Sequence, residues 1–399
     1  MMTDVRIEKD SMGTMEVPAT AYYAAQTQRA VLNFPISRHR MPRMMIHALG
    51  EIKRAAAVIT GKYGWVSSEV AGAIVQAAEE VSNGKHDAHF VVDIYQTGSG
   101  TSSNMNTNEV IANRASEILG KEIGSKYVHP NDHVNYGQSS NDVFPTAMHL
   151  SILKEFQVNL IPALVQLQKS LQTKAMAFDD IVKIGRTHLQ DATPIRMGQV
   201  FSGFAYQIQQ SIERIQYACS SLEELALGGT AVGTGINRPE QMAQEVIAEI
   251  AKRMDLNVRE TPNHFASQAT KDAVVHASSS LKELATSLMK IANDIRFLGS
   301  GPRCGIGELI LPETQPGSSI MPGKVNPVIA ESVMMICAQV IDMMTVSLCN
   351  QAGNFELNVM TAMVYSVLES SEIWANGSEK NLRNAASKAL KLIGIVAIL

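Results

Sequence analysis

The stretch 281–298, LKELATSLMKIANDIRFL, decides the fold. Its apolar positions recur at alternating steps of three and four residues, at Leu281, Leu284, Leu288, Ile291, Ile295 and Leu298. That spacing places them on one face of an α-helix, as in the seam of a helix bundle. Two further stretches repeat the pattern, with apolar positions at Phe204, Ile208, Ile212, Ile215, Cys219, Leu222 and Leu225 and at Ile329, Val333, Ile336, Val340 and Met343. The central region therefore predicts long, nearly parallel or antiparallel helices assembled as a bundle.

The composition agrees with a mainly α interior. The chain is 45% hydrophobic but only 5% aromatic, which suits helices packed on helices better than twisted sheets. At 399 residues it exceeds the size at which a single core stops growing, so at least two domains are expected. We place the boundary near Gly137, with an N-terminal mixed, mainly helical domain at 1–136 and a central long-helix domain at 137–399.

Charge, cysteines and the start of the chain narrow the class of protein. A net charge of −4 gives no sign of polyanion binding, which argues against a nucleic-acid partner. The four cysteines have no CxxC spacing, so reduced thiols are expected. The start, MMTDVRIEKD, has no signal or transit character, and we find no apolar run of membrane-spanning length. These features predict a cytoplasmic protein without a membrane partner.

The loop 317–327, GSSIMPGKVNP, has the composition of a site for an anion. Lys324 supplies a positive charge and Asn326 an amide donor, and together they suit a carboxylate. Ser318 could act as a base only if nearby donors and charge stabilised its alkoxide. By composition alone, the alternative is an ordinary surface loop.

Other polar segments lie at predicted helix ends. Short hydroxyl and amide groups suited to holding a carboxylate occur in glycine-bearing loops, at Ser99, Thr101, Ser140 and Asn141. The segment 228–235, GGTAVGTG, lacks the order of a dinucleotide fingerprint and is interpreted as a tight loop near the site. A histidine such as His188 moves protons near neutral pH, although a lone histidine is more often structural. Glu331, predicted on the first turn of a helix, could orient it, or could simply cap that helix.

Together with this loop, eight further motifs resemble the fumarase/aspartase superfamily. They are, in order, RIEKDSMG (6–13), AAQTQRA (24–30), TGSGTSSNMNTNE (97–109), HPNDHVN (129–135), GQSSNDVFPTAMH (137–149), GRTHLQDATP (185–194), GGTAVGTG (228–235) and GNFELNV (353–359). Within the superfamily, Gly323, the serine pair of SSND and Phe355 resemble class II fumarases rather than aspartases.

The resemblance implies a fold, an assembly and a reaction. In this superfamily four subunits associate through a twenty-helix core, and each active site takes loops from three chains. The implied reaction is the reversible hydration of fumarate to L-malate, without metal or organic cofactor. It proceeds through a carbanion stabilised as an aci-carboxylate. A small dicarboxylate and other copies of the chain are thus the expected partners.

The resemblance also assigns roles to residues. Ser318 is expected to be the base at C3, and His188, paired with Glu331, the acid or water-activating group, although the two roles could be exchanged. Lys324 and Asn326 would stabilise the dianionic intermediate. The residues expected to bind substrate are Ser99, Gly100, Thr101, Ser139, Ser140, Asn141, Thr187, Ser319, Lys324, Val325 and Asn326.

The segment HPNDH has two interpretations. His129 and His133 are four residues apart, as in some metal sites, but Pro130 disfavours a helix that presents both rings. The resemblance instead implies a second dicarboxylate site outside the catalytic one, formed by His129, Pro130, Asn131 and Asp132. We therefore predict no metal site.

The resemblance fades at the far end of the chain. Cys349 and Asn350 occupy positions where glycines are typical, and the family's small carboxy-terminal domain is not recognisable beyond Asn376. The final residues suggest an amphipathic helix with an apolar tip at 392–399. Two alternative functions remain. One is an ammonia-lyase of the same superfamily, such as an aspartase, which Gly323, Ser140 and Phe355 disfavour, and the other is a structural oligomer with an inactive site, which only the atypical end of the chain favours.

Overall fold

The computed structural model describes residues 4–375, which are mainly α-helical, as the sequence predicts. The α-helices are α1 (Ala25–Asn33), α2 (Arg43–Lys62), α3 (Ser68–Ser82), α4 (Thr101–Ile118), α5 (Ser140–Glu155), α6 (Ile161–Ala177), α7 (Met197–Leu222), α8 (Met242–Met254), α9 (His264–Ala269), α10 (Asp272–Leu298), α11 (Val328–Asp342), α12 (Thr345–Gln351) and α13 (Thr361–Ala375). The strands are β1 (Val5–Asp10), β2 (Gly13–Pro18), β3 (Val182–Thr187), β4 (Gln190–Arg196), β5 (Glu224–Leu225) and β6 (Arg259–Glu260). They pair into two antiparallel ribbons, β1–β2 and β3–β4, and one short parallel pair, β5–β6.

The described residues divide into two compact units. Unit 1 contains 4–154, Cys219–Val275 and Thr345–Leu368, and unit 2 contains Glu155–Ala218, His276–Met344 and 369–375. The boundary predicted near Gly137 falls inside unit 1, and the two-domain division at that residue stays a prediction. The predicted carboxy-terminal helix lies outside the described residues.

The long helices of unit 2 follow the predicted seams. α10 buries Leu281, Leu284, Leu288, Ile291 and Ile295, and α7 buries Phe204, Ile208, Ile212 and Ile215. Glu283 of α10 accepts hydrogen bonds from Ser211 and Arg214 of α7, at 3.1 and 3.0 Å. The two helices therefore pack through a continuous apolar stripe with polar links at its edge.

The predicted seam of α11 is partly wrong. The helix buries Ala330, Val333, Cys337 and Val340, whereas Ile329 and Ile336 are only partly buried. The cause is that α11 is apolar on several faces, so periodicity alone does not select which one faces the core.

The stretch Val328–Gln351 corrects the expectation that no apolar run has membrane-spanning length. By length and composition alone it could cross a membrane, with 24 residues, a mean hydropathy of 1.7 and 28% of its most apolar window buried. The structure divides it into α11 and α12, separated by Met343 and Met344. Core helices of soluble proteins pass the same test, so this stretch is weak evidence for a membrane.

The β3–β4 hairpin of unit 2 was not predicted. Thr187 pairs with Gln190, so His188 and Leu189 form a two-residue turn, and both have positive φ, 57° and 62°. Such a turn twists in the same sense as its strands, but asparagine and glycine normally supply it. His188 therefore lies at the tip of a hairpin.

Candidate active site

Two helices of unit 1 begin beside each other with hydroxyl groups at their N-termini. Thr101 is the first residue of α4 and Ser140 the first of α5, and their side-chain oxygens are 2.8 Å apart. Ser99 extends the chain, with its Oγ 3.0 Å from the Thr101 Oγ1. Helix N-termini expose unpaired N–H groups and carry partial positive charge. The arrangement is suited to a carboxylate, as the sequence predicts for these residues.

Gly100 allows this approach. It has a φ of 75°, and a Cβ placed on it would lie 2.2 Å from the ring of Phe144, a buried residue of α5. Glycine is required both for the left-handed backbone and for the close contact between the two helices. Gly100 is therefore required by the geometry of this loop, and only its main chain is available to a ligand.

The segment 139–142 forms a capping box at the start of α5. The Ser139 Oγ accepts the Asn141 N–H at 3.2 Å, and the Asp142 Oδ1 accepts the Ser139 N–H at 3.0 Å. The Asn141 amide donates to the Ala231 carbonyl at 2.8 Å, in the predicted tight loop. Asp142 belongs to the SSND motif, but the sequence analysis assigned it no role. A serine followed three residues later by a carboxylate is the pattern that predicts this cap.

In unit 2, Ser318 lies in a loop that stabilises negative charge on its oxygen. The Ser318 Oγ accepts the backbone N–H groups of Ile320 and Met321, each at 3.2 Å. Two such donors stabilise negative charge that develops on this oxygen. The loop is closed by the Asn326 amide, which donates to the Gly317 carbonyl at 2.8 Å. Ser318 is partly buried, and the remaining loop residues that were predicted to bind substrate, Ser319, Lys324 and Val325, are exposed.

His188 and Glu331 are both exposed in unit 2. His188 occupies the hairpin tip beside Thr187, also exposed, and Glu331 lies in the first turn of α11, where the sequence placed it. Among the hydrogen bonds of the described residues, none joins these two side chains. Within a single chain, the structure therefore does not join His188 and Glu331 by a hydrogen bond.

The base of the hairpin is fixed by charge. Glu308 forms ion pairs with Lys183 at 3.1 Å and Arg186 at 2.6 Å. Burial alone would raise the pKa of Glu308, but hydrogen bonds from Arg186 and Lys183 outweigh it and lower the pKa. Glu308 therefore remains a carboxylate and anchors the strand that leads to Thr187 and His188.

The segment 129–134 is a separate feature of unit 1. Pro130–Val134 is a short π-helical turn, and the His129 Nδ1 lies 3.1 Å from the Asp132 carboxylate. His129, Pro130 and Asn131 line a cavity of about 330 Å³ together with Lys126, whereas Asp132 is exposed beside it. The cavity offers the Lys126 ammonium and the Asn131 amide to an anion, but it is also lined by three carboxylates, those of Glu8, Asp10 and Glu109. Within residues 4–375, no group of three or more His, Cys, Asp or Glu could hold a metal ion.

Comparison with known proteins defines the class. A family model described as a lyase matches residues 13–342. A class II fumarate hydratase of Nitrosomonas europaea is 52% identical over 381 residues, 95% of this chain and 82% of that protein. Fumarate hydratase 1, mitochondrial, of Arabidopsis thaliana is 51% identical over 92% of this chain and 75% of its own length.

Solved structures of similar proteins agree with the sequence comparisons. A class II fumarase from Schistosoma mansoni matches with a TM-score of 0.94 and 40% identity, over 99% of this chain and 85% of that one. A fumarate lyase:delta crystallin from Brucella melitensis matches with a TM-score of 0.90 and 39% identity, over 99% of this chain and 89% of that one. The chain is thus a lyase. Within that family it belongs to the class II fumarate hydratases, which are hydro-lyases.

Proposed function

We propose that this hydro-lyase hydrates fumarate reversibly to L-malate, with Ser318 as the base that removes the C3 proton of malate. The observation that carries this assignment is the pair of backbone N–H donors on the Ser318 Oγ. Removal of the proton leaves a carbanion whose charge spreads into the adjacent carboxylate as an aci-carboxylate. Lys324 and Asn326 stabilise this intermediate, which carries more charge than the substrate and so gains more from fixed donors.

His188 is the proposed partner in the reaction, as the acid that protonates the departing C2 hydroxyl. In the hydration direction it activates the water instead. Glu331 supplies the negative charge that orients and stabilises the protonated imidazole. Since the two side chains share no hydrogen bond within unit 2, we propose that they meet across subunits.

Substrate binding is proposed for polar loops that different chains of the assembly contribute. One carboxylate binds at the N-termini of α4 and α5, to Ser99, Gly100, Thr101, Ser139, Ser140 and Asn141. Thr187, Ser319 and Val325 bind the rest of the dicarboxylate with the backbone of their loops. The segment 129–132 binds a second dicarboxylate in the cavity of unit 1. No step of this scheme uses a metal or an organic cofactor.

The proposed assembly is a homotetramer with a twenty-helix core, in which three chains contribute to each active site. Two exposed apolar side chains on α11, Met335 and Ile341, support association, since a second chain would remove them from water. We also propose a cytoplasmic location, which is supported by free thiols at Cys219, Cys304, Cys337 and Cys349.

The first test follows the fumarate double-bond absorbance on adding purified protein, in buffers with and without ammonium. Loss of absorbance without ammonium, with formation of L-malate, is the expected result. Loss only with ammonium would assign the chain to the ammonia-lyases, and no loss in either buffer would favour an inactive structural oligomer.

The second test replaces the base. Ser318→Ala should abolish malate dehydration and leave the assembly intact. Ser300→Ala is the matched control, because the Ser300 Oγ also accepts a loop N–H, from Ile306 at 3.0 Å. Near-normal turnover by Ser318→Ala would refute its role as base.

A further inference from the structure

The Asp142 carboxylate joins two loops of unit 1. Its Oδ1 completes the capping box at the Ser139 N–H, while its Oδ2 accepts the N–H groups of Gly228 and Thr230, at 3.0 and 2.9 Å. Asp142 is 0% exposed. A capping box requires only one carboxylate oxygen. The second oxygen thus connects the loop 139–141 to the loop 228–231.

The loop 228–231 depends on such contacts for its shape. Thr230 has a φ of 55°, a conformation that is unfavourable for a β-branched residue. Its carbonyl accepts the Gln268 amide at 2.8 Å, and the next carbonyl, of Ala231, accepts Asn141. The surrounding partners therefore hold a strained loop against the segment that carries the substrate-binding residues.

Lys53 of α2 fixes the other side of the same segment. It is 0% exposed, and its Nζ donates to the Asn135 Oδ1 at 2.8 Å and the Gln138 Oε1 at 3.0 Å. Gln138 directly precedes Ser139. Burial lowers the pKa of Lys53 to about 7, and the Asp142 charge opposes this shift. Burial also raises the pKa of Asp142, and the Lys53 charge opposes that shift, so each group favours the charged form of the other.

We propose that Asp142, supported by Lys53, is a positioning residue that holds Ser139, Ser140 and Asn141 in the geometry that binds the substrate carboxylate. This inference rests on the proposed function, which assigns substrate binding to that segment. Asp142 is not assigned a contact with the substrate, because its buried carboxylate accepts hydrogen bonds from backbone N–H groups of the two loops. Displacement of positioned groups by about 1 Å can reduce a rate by about 100-fold.

The test compares Asp142→Asn with Glu51→Gln. Glu51 is the control, because it is also a buried carboxylate of unit 1, which accepts hydrogen bonds from the Ser82 Oγ at 2.6 Å and from Arg54 at 3.1 Å and lies outside the proposed binding segments. Both substitutions should lower the melting temperature. Asp142→Asn should reduce kcat/KM for fumarate by about 100-fold, chiefly through a higher KM, whereas Glu51→Gln should keep KM near that of the parent. Equal KM changes in the two variants would overturn the proposal.

Two further measurements keep the proposal testable. If Asp142→Asn does not fold, Gln268→Met is the substitute variant, because it removes one neutral hydrogen bond to the Thr230 carbonyl. It should raise KM by a larger factor than it lowers kcat. Calorimetry with succinate, a dicarboxylate that cannot be hydrated, separates binding from turnover, and it is done with Lys126→Ala in the background of every variant to weaken the proposed second site. If the parent protein binds succinate but does not hydrate fumarate, the proposed reaction is refuted and the positioning role of Asp142 is not. Unchanged succinate affinity in folded Asp142→Asn, or no binding by the parent, would overturn the positioning role.

Discussion

At the scale of single residues, His149 makes stability depend on pH. His149 is buried, and its Nδ1 donates to the carbonyls of Leu222 and Glu224, at 3.1 and 2.8 Å. Burial, and then the positive charge of Lys271, lower the pKa of His149 to about 4. The unfolded chain, with a histidine pKa of about 6.5, therefore binds one more proton between these values. The free energy of unfolding should fall as the pH falls from 6.5 to 4, by up to about 1.4 kcal/mol per pH unit.

His149→Gln tests this dependence, because glutamine keeps a donor but does not titrate. The free energy of unfolding is measured with urea between pH 4 and 6.5. It should decrease less steeply with falling pH in the variant than in the parent, and the difference in slope should correspond to the binding of up to one proton. Asp and Glu side chains also titrate in this window, but they do so in both proteins, so the difference between the two curves isolates the contribution of His149. Parallel curves for parent and variant would show that His149 is not the group responsible.

At the scale of elements, Gly100 shows how a helix start is specified by packing. Gly100→Ala should destabilise the protein by about 2–4 kcal/mol, since it adds both left-handed strain and a clash with Phe144. Gly120→Ala is its control, because Gly120 has a similar φ of 71° but no atom within 4 Å of an added Cβ. The difference between the two variants in urea unfolding gives the cost of the clash alone. Equal losses would mean that Phe144 moves away without cost.

The β3–β4 hairpin allows a change in the opposite direction. Leu189 is 70% exposed and has positive φ, so Leu189→Gly should stabilise the hairpin by about 1 kcal/mol. Leu32→Gly makes the same chemical change at an exposed helical position of α1 and should destabilise by about 1 kcal/mol. Thermal unfolding of both variants checks the signs. A loss of stability in Leu189→Gly would contradict the strain assigned to this turn.

The same elements show what the sequence can predict. α7 and α10 were predictable because their apolar residues have a single phase, from Phe204 to Ile215 and from Leu281 to Ile295. The hairpin was not, because His188 and Leu189 adopt a turn that other residues usually signal. Motifs identified Thr101 and Ser140 as candidates, but 39 positions separate them, and only packing brings their oxygens to 2.8 Å. The two N–H donors on Ser318 likewise depend on loop backbone geometry, which side-chain patterns do not encode.

At the scale of the whole molecule, the apolar exterior of α11 provides a test of assembly. Met335 is 68% exposed and Met344 beyond the helix end is 58% exposed, so this surface remains in contact with water in a single chain. A second copy of the chain would bury it, as the proposed tetramer requires. Met335→Lys would place a charge in that interface and should shift the protein toward smaller species in sedimentation velocity. Met12→Lys, at a β-hairpin turn where Met12 is 79% exposed, is the control and should leave the assembly unchanged.

The activity of Met335→Lys then distinguishes a shared site from a self-contained one. Met335 has no proposed contact with substrate, so any loss of turnover must act through association. If three chains form each site, specific activity should fall on dilution together with the fraction of tetramer, and concentrated protein should recover it by mass action. A dissociated variant that retains full activity per chain would refute the shared site. It would then require His188 and Glu331 to meet within one chain, through a movement of the β3–β4 hairpin or of α11.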